Sequence, residues 1–372
     1  MINAKDVKKK RKNIEFKEED KKIISSTGID LEEKQRIGSF LQEDNIVKLY
    51  RSLYPKVEIL PIEEAIKEPK FKNYFGKGFK FLNKEFPKDT KGGYFIRVKE
   101  NTKIDIPIQA CLFLKTKKFY QRIHNLIVIE KNSQVYLITG CSSSNSAQEA
   151  SHLGVSEFFI KKGAYLNFTM VHSWSETVKV KPISVALVEE NATFVSNYVC
   201  LKPVKEIVMY PTAVLLGKSA RASFNSLILS HPRSFQDIGS RVIFKENFTQ
   251  AEIISRAVSL GGKIIARGHL KAQVPNVKAH LECRGLILSP KGFIYAIPEL
   301  ETTFRDVDMS HEAAIGKISQ EEIEYLCSRG FSRKEAQSII IRGFMDVDIL
   351  GLPQSLKLEI EKLEETTLSK GF

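Results

Sequence analysis

Cys283 stands in the run HLECRGLILSPKGFIYAIPELE, and 28 residues later His311 and Glu312 stand in MSHEAAIGKIS. Glu299, Glu301, Asp306 and Asp308 fall between them, so one short stretch gathers a thiol, an imidazole and several carboxylates. That mixture suits iron better than calcium, which takes oxygen alone, or structural zinc, which takes four closed nitrogen and sulfur ligands. A quieter reading stands beside it. A single Cys among apolar residues is more often a small core residue than a ligand, and a single His is usually just hydrogen-bonded.

Cys141 is the second chemical candidate. It follows Gly140 and precedes SSSNS, which predicts a strand end or turn, with backbone N–H groups near enough to favour a thiolate. The alternative is an unreactive turn thiol. Cys111 and Cys200 lie in apolar runs and read as core, as does Cys327 on a helical face with Ile323 and Leu326. Trp174 is the only Trp of the chain, a type that more often packs than gates.

The elements that must carry these residues follow from texture. At 372 residues the chain exceeds one ordinary hydrophobic core, so two or three folding units are expected. Residues 1–92 are charged and mixed, with helical character from Leu31 to Ser52 and a breaker-rich linker in FGKGFKFLNKEFPKDTKGGY, which together predict a helical or mixed cap. Residues 93–301 break into short runs rich in Val, Ile, Phe and Tyr, which read as strands. Ala164, Ala192, Ala220 and Phe248 recur at intervals of 28 residues in similar turn elements. A fixed period in a strand-rich chain means stacked coils, so the core reads as a parallel β-helix, or solenoid. Residues 302–372 read as a small helical domain: Ser319 with Glu322 and Ser332 with Glu335 form capping boxes, Gly330 and Gly343 stand at helix ends, and Pro353 opens a last helix. The fold class is therefore mainly β, a solenoid flanked by helices.

The five Cys are far apart and form no CxxC pair, which favours individual thiols in a reducing cytoplasm. No apolar stretch is long enough for a membrane span, and the first residues lack a signal-peptide core. The net charge of +13 owes much to Lys8-Lys9-Lys10-Arg11-Lys12 and scattered lysines, a pattern that is usually solvated rather than bound to nucleic acid. No GxxxxGK[ST] loop is present, so the chain is not itself a nucleotide hydrolase.

The segment from Cys283 through Pro298 and Glu301 to His311-Glu312-Ala313, with the two capped helices after it, resembles the C-terminal part of the SufB/SufD family of iron–sulfur cluster assembly scaffolds. The SufB branch has the same order: a Cys, a P-x-x-E element, an E-H-E-A element and two short helices. Ser310 replaces the first Glu of that element, leaving Asp308 or Glu301 to stand in its place. The resemblance runs from about Ile96 to Leu352 and is strongest after Val274. It implies a right-handed parallel β-helix, no enzymatic activity of its own, and a transient cluster, [4Fe–4S] by expectation, held by Cys283, His311, Glu312 and Glu301. It implies that Cys141 accepts sulfur and passes it along the solenoid interior. Trp174 matches the family's Q-N-W element there, while His172 and Ser173 replace its Gln and Asn. It also implies an assembly interface formed by the C-terminal strands of two such proteins, here a homodimer or a pair with a SufD-like paralogue. An ABC-type ATPase (SufC-like) would dock on the C-terminal helices, where Phe344, Met345 and Ile349 are candidate contacts or else the helices' own core. A sulfur donor and apo target proteins complete the expected partners. Two other classes compete on residue chemistry: a secreted-type β-helix carbohydrate enzyme, which needs paired carboxylates in an open groove, and a basic nucleic-acid-binding protein.

Overall fold

The computed structural model describes residues 10–11, 16–82, 85–87 and 89–345. The N-terminal part supplies β1 (Lys10–Arg11), α1 (Glu18–Ser25), β2 (Gly38–Glu43), β3 (Ile46–Ser52), β4 (Val57–Pro61) and the one-turn helices α2 (Ile62–Ala65) and α3 (Lys77–Lys80). Then come β5 (Tyr94–Val98), β6 (Ile108–Leu114), β7 (Tyr120–Ile129), β8 (Gln134–Ser143), β9 (Ser151–Ile160) and β10 (Tyr165–Ser173). They are followed by β11 (Lys179–Val180), β12 (Ile183–Val188), β13 (Thr193–Cys200), β14 (Glu206–Met209), β15 (Thr212–Leu215) and β16 (Arg221–Ser230). The last elements are β17 (Phe235–Phe244), β18 (Gln250–Ser259), β19 (Lys263–Ala272), β20 (Val277–Ile287), β21 (Phe293–Glu301), β22 (Val307–Gly316), α4 (Gln320–Ser328) and α5 (Arg333–Met345). Among the described residues no helix is long and apolar enough to cross a membrane.

The strands stack into a β-solenoid of about eight turns. One sheet is ordered β1-β3-β2-β6-β8-β10-β13-β16-β18-β20-β22; the other holds β4, β5, β7, β9, β12, β15 and β17, with β11 and β14 alongside and β19 and β21 continuing from β17. Each turn lays one strand in each sheet, so neighbours in a sheet are parallel and about one coil apart in sequence. The alternation of strand side chains then sorts the residues: in β20, Val277, Ala279, Leu281 and Cys283 are buried, while the intervening Lys278, His280, Glu282 and Arg284 are at least partly exposed. Inside, the rings of Phe158, Phe168, Phe194 and Phe224 stack with centroids 4.8–5.9 Å apart, each contact adding about 0.5–1.5 kcal/mol beyond the area it buries.

The 28-residue spacing holds from Thr193 to Arg221 and from Gln250 to Lys278, but the step from Arg221 to Gln250 is 29 residues. Thr249, not Phe248, therefore follows Ala220 in the stack. Phe248 takes the left-handed corner position (φ 60°) that Asn191 and Ser219 occupy in earlier turns.

Three expectations are corrected. The stretch Leu31–Ser52 is not helical: β2 and β3 form a hairpin whose two-residue turn is Asp44-Asn45, with Asp44 at φ 48°. The described part of the expected linker, which begins at Phe75, instead packs on the solenoid, with Phe79 fully buried and α3 set against β12. The solenoid also does not stop at Glu301. It adds β22 through Gly316, paired in parallel with β20, so His311 and Glu312 sit in a strand rather than at a helix start.

The two ends of the solenoid differ. At the N-terminal end β3 runs antiparallel on β2, and β4 on β5, closing both sheets. At the other end β21 and β22 have no further partner among the described strands. Phe293, Tyr295, Leu300, Phe304 and Ile315 are exposed there. Beyond β22, Ser332 and Glu335 form their capping box, the Glu335 carboxylate accepting the Ser332 N–H at 2.7 Å. Ser319 precedes α4 but makes no side-chain cap bond. Ile349 and the helix expected after Pro353 lie outside the described residues.

Candidate functional site

Cys283 lies on the inward face of β20, 2% exposed, with Ser255 of β18 and Ala313 of β22 as its strand partners. Burial pushes its thiol up to about 11; nearby Glu282 adds to this and Arg256 opposes it. His311 pairs with Leu281, so it occupies the same inward face as Cys283, two positions along the last strand, and is exposed because no further coil covers it. Glu312 pairs with Glu282 and faces the other way. There the ligand atoms of His280, Glu282 and Glu312 lie within 4.8 Å of one another, and Arg284 donates to the Glu312 carboxylate at 3.0 Å. No group of three such ligands that includes Cys283 occurs among the described residues. Glu301 lies in the other sheet, accepting from Lys271 at 2.6 Å and standing 3.1 Å from His269 Nε2; Lys271 above all, then His269, holds its carboxyl below the usual range. The chain thus brings Cys283 and His311 to one face at the open end and sets Glu312 and Glu301 on its rim.

Cys141 does not sit at a turn. It is on the inward face of β8, 2% exposed, and burial pushes its thiol well up rather than favouring a thiolate. Its strand partner is His172 of β10, whose partner in turn is Cys200 of β13. His172 is buried, and burial, reinforced by His152, holds its imidazole neutral well below the usual range. Trp174 lies between the two imidazoles, its ring centroid 5.1 Å from His152 and 5.3 Å from His172. Tyr198 Oη is 3.0 Å from His172 Nδ1.

The adjoining inward column is one residue per turn: Met170, Tyr198, Ser226, Ser255, Cys283. Two hydroxyls, those of Ser226 and Ser255, therefore separate Tyr198 from Cys283 along this column. Beside them a cavity of about 30 Å³ lies between the sheets, lined in part by Ser184, Ser196, Ser226 and Ser240. The sequence reading missed Tyr198, Cys200, Ser226 and Ser255 as a group. A signal existed: His172 follows Cys141 by 31 residues and Cys200 follows His172 by 28, each about one coil.

The C-terminal helices are partly committed to the chain itself. Ile341 and Met345 are 1% and 3% exposed, packed with Val171, Val199, Leu227, Leu229 and Val258 on the outer face of the first sheet, and Phe344 is half-buried beside them. Of the two alternatives, partner contact or the helices' own core, Met345 takes neither: it is buried against the solenoid. Tyr325 of α4, Ile339 of α5 and Phe331 in the connection between them remain exposed.

Comparison with known proteins bears on what this architecture is for. The family model described as the SUF system FeS cluster assembly, SufBD core domain, matches residues 112–344, more than half of the chain. The chain is similar to an iron–sulfur cluster assembly SufBD family protein of Archaeoglobus fulgidus, 47% identical over 93% of this chain and 94% of that one. It is also similar to those of Methanothermobacter thermautotrophicus (41% identical, 96% and 90% covered) and Pyrococcus horikoshii (30%, 95% and 81%). These matches favour neither the carbohydrate enzyme nor the nucleic-acid-binding reading. With its solenoid, its inward thiols and matches of this extent, the chain belongs to the SufBD family of iron–sulfur cluster assembly proteins.

Proposed function

We propose that this protein is a non-enzymatic cytoplasmic scaffold on which an iron–sulfur cluster, of the [4Fe–4S] type, is built at the open end of the solenoid. The observation that carries the reading is the position of Cys283: it ends an inward polar column and shares its face with His311 at the uncovered last turn. Iron displaces the proton that burial holds on the Cys283 thiol, while His311 supplies an imidazole nitrogen. Glu312 reaches the cluster from the rim by leaving Arg284, and Glu301 by leaving Lys271. Sulfur from a donor protein enters at Cys141 and moves past His172 and Trp174 along the column to Cys283. Carboxylate and imidazole ligands hold iron less tightly than four thiolates, which suits a cluster that is passed on to apo target proteins.

One chain supplies few ligands for four irons. A second copy meeting the first through β21 and β22 doubles them by two-fold symmetry; a paralogue with the same end does so less evenly. An ABC-type ATPase docks on α4 and α5 through the exposed Tyr325, Phe331 and Ile339, with Phe344 at the edge of the contact. Anaerobic reconstitution with iron and sulfide, read by absorption and Mössbauer spectra, tests the site. A cluster forms in the wild type and is lost in Cys283→Ser. An unchanged cluster in that variant moves the site elsewhere, and none in either leaves the protein without the proposed role.

A further inference from the structure

Side chains on a strand alternate between two faces, so residues two apart share one. On the outward face of β20, His280 and Glu282 stand in this way, and Glu312 of β22 is the strand partner of Glu282. One ligand atom from each lies within 4.8 Å of the others, close enough for a single ion to touch all three. Cys283 and His311 point to the opposite, inward face. His280 Nδ1 is 2.9 Å from Ser310 Oγ. With that nitrogen donating to the hydroxyl, Nε2 presents its lone pair, the usual way a second contact orients a metal-binding imidazole. Ser310, the residue that departs from the SufB pattern, is thus in contact with this imidazole.

Two guanidiniums compete for the carboxylates. Arg284 reaches Glu312 Oε1 at 3.0 Å and Glu282 Oε1 at 3.1 Å, and Arg256 pairs with the same Glu282 oxygen. Neither Oε2 accepts a hydrogen bond from a described residue. Arg284 and Glu312 are 42% and 53% exposed, so their pairing contributes little and yields to an ion of higher charge. Arg256 stays with Glu282, which makes the site an exchanging one rather than a permanent one. Asp308, Ser310, Glu252 and His280 line an open groove of about 600 Å³ on this face, a path wide enough for a hydrated ion. One imidazole nitrogen and two carboxylates, completed by water, suit Fe²⁺, Mn²⁺, Co²⁺ or Zn²⁺; the imidazole disfavours Ca²⁺ and Mg²⁺, and the lack of sulfur disfavours Cu⁺.

We propose that His280, Glu282 and Glu312 form a second metal site, on the outer face of the last turns, which takes hydrated ferrous iron and like divalent ions before any thiolate is engaged. The ion displaces Arg284 from Glu312 and keeps its 2+ charge; no bond to sulfur forms and no electron moves. Glu312 lies on the strand that has no further neighbour, so one carboxylate serves this site and the rim of the cluster site in turn. The loading role rests on the reading that a cluster is built at this end of the solenoid; the binding of the ion does not.

The full-length protein, anaerobic and free of iron and sulfide, is titrated with Mn²⁺, and the free ion is followed by electron paramagnetic resonance. Saturable binding is expected in the wild type, weakened about tenfold or more in His280→Gln. It should persist in Cys283→Ser and in His311→Ala, which strike only the inward set. Arg284→Ala should tighten it about two- to fivefold, because a competing cation is gone; a merely structural Arg284 would loosen it or leave it unchanged. Absence of saturable binding in the wild type overturns the proposal. So does binding that His280→Gln leaves unchanged, or that Cys283→Ser or His311→Ala abolishes, which assigns the ion to the inward face. Should His280→Gln fail to fold, Arg284→Ala decides alone, and unchanged or weaker binding overturns the proposal. Because no sulfide is supplied, failure of cluster assembly at Cys283 and failure of this site are read separately.

Discussion

His152 and His172 face the solenoid interior as neutral imidazoles, and that neutrality has a cost in acid. Unfolded, His152 takes its proton near the ordinary 6.5; folded, burial delays this to about 3. Protonation therefore favours the unfolded chain as pH falls from 6.5 towards 3, and the stability is complete above 6.5. At a pH about two units below the ordinary value, His152 alone accounts for roughly 2–3 kcal/mol of lost stability. Urea unfolding at neutral pH and at pH near 4.5 measures it, and His152→Asn should flatten the pH dependence by about that amount. If the variant and the wild type lose stability in parallel, the imidazole is not buried as described. None of this was legible from the residue types. A His in a run such as SHLGVSEFF becomes an interior group only once the coil register is known, and the same holds for Cys141, whose neighbours SSSNS suggest a turn. Cys283 stood out in the sequence because several ligand types follow it within about one coil, and the structure places it on one face with His311.

At the scale of elements, one buried carboxylate ties the segment before the solenoid to its coils, beside the buried Phe residues. Glu157 of β9, fully buried, accepts the N–H groups of Gly76 at 2.7 Å and Gly78 at 2.8 Å, and stands 3.1 Å from His124 Nε2. Gly78 must lack a side chain, since a Cβ there would come within 2.5 Å of Val185. Replacing Glu157 by Leu leaves two buried N–H groups and an imidazole unmatched, a loss of about 3 kcal/mol or more. Hydrogen exchange at the Gly76 and Gly78 amides should then quicken by roughly a hundredfold, with little change in the strands after β16. Unchanged exchange would show that the segment is held by its buried Phe residues instead. The strands themselves were readable from short apolar runs and coil spacing. The β2–β3 hairpin was not, because Lys, Glu and Leu in DLEEKQRIGSFLQEDNIVKLY mimic a helical face. β22 was missed for another reason: the capped helices that follow it drew the run VDMSHEAAIG into the helical domain expected from residue 302.

For the whole molecule, the contrast between its two ends bears on how copies would meet under the proposed reading. Tyr295 and Ile315, 55% and 42% exposed on the last two strands, are apolar groups where a partner sheet would lie. Changing both to Arg should turn a dimer into a monomer, with a cost of about 2 kcal/mol or more for each lost anchor, as sedimentation velocity would show. A dimer that survives both changes would place the interface elsewhere. A solenoid is a periodic object, and a periodic object with two sticky ends propagates into fibres. Here the two ends differ: the first is capped by antiparallel strands, and the last ends on the parallel β21 and β22. If two such ends meet as proposed, each copy presents its antiparallel N-terminal cap, which disfavours continued parallel stacking among the described strands. If copies pair as proposed, the hairpin at the first coil limits assembly at the far end of the molecule, and a chain truncated before β5 should polymerise rather than pair.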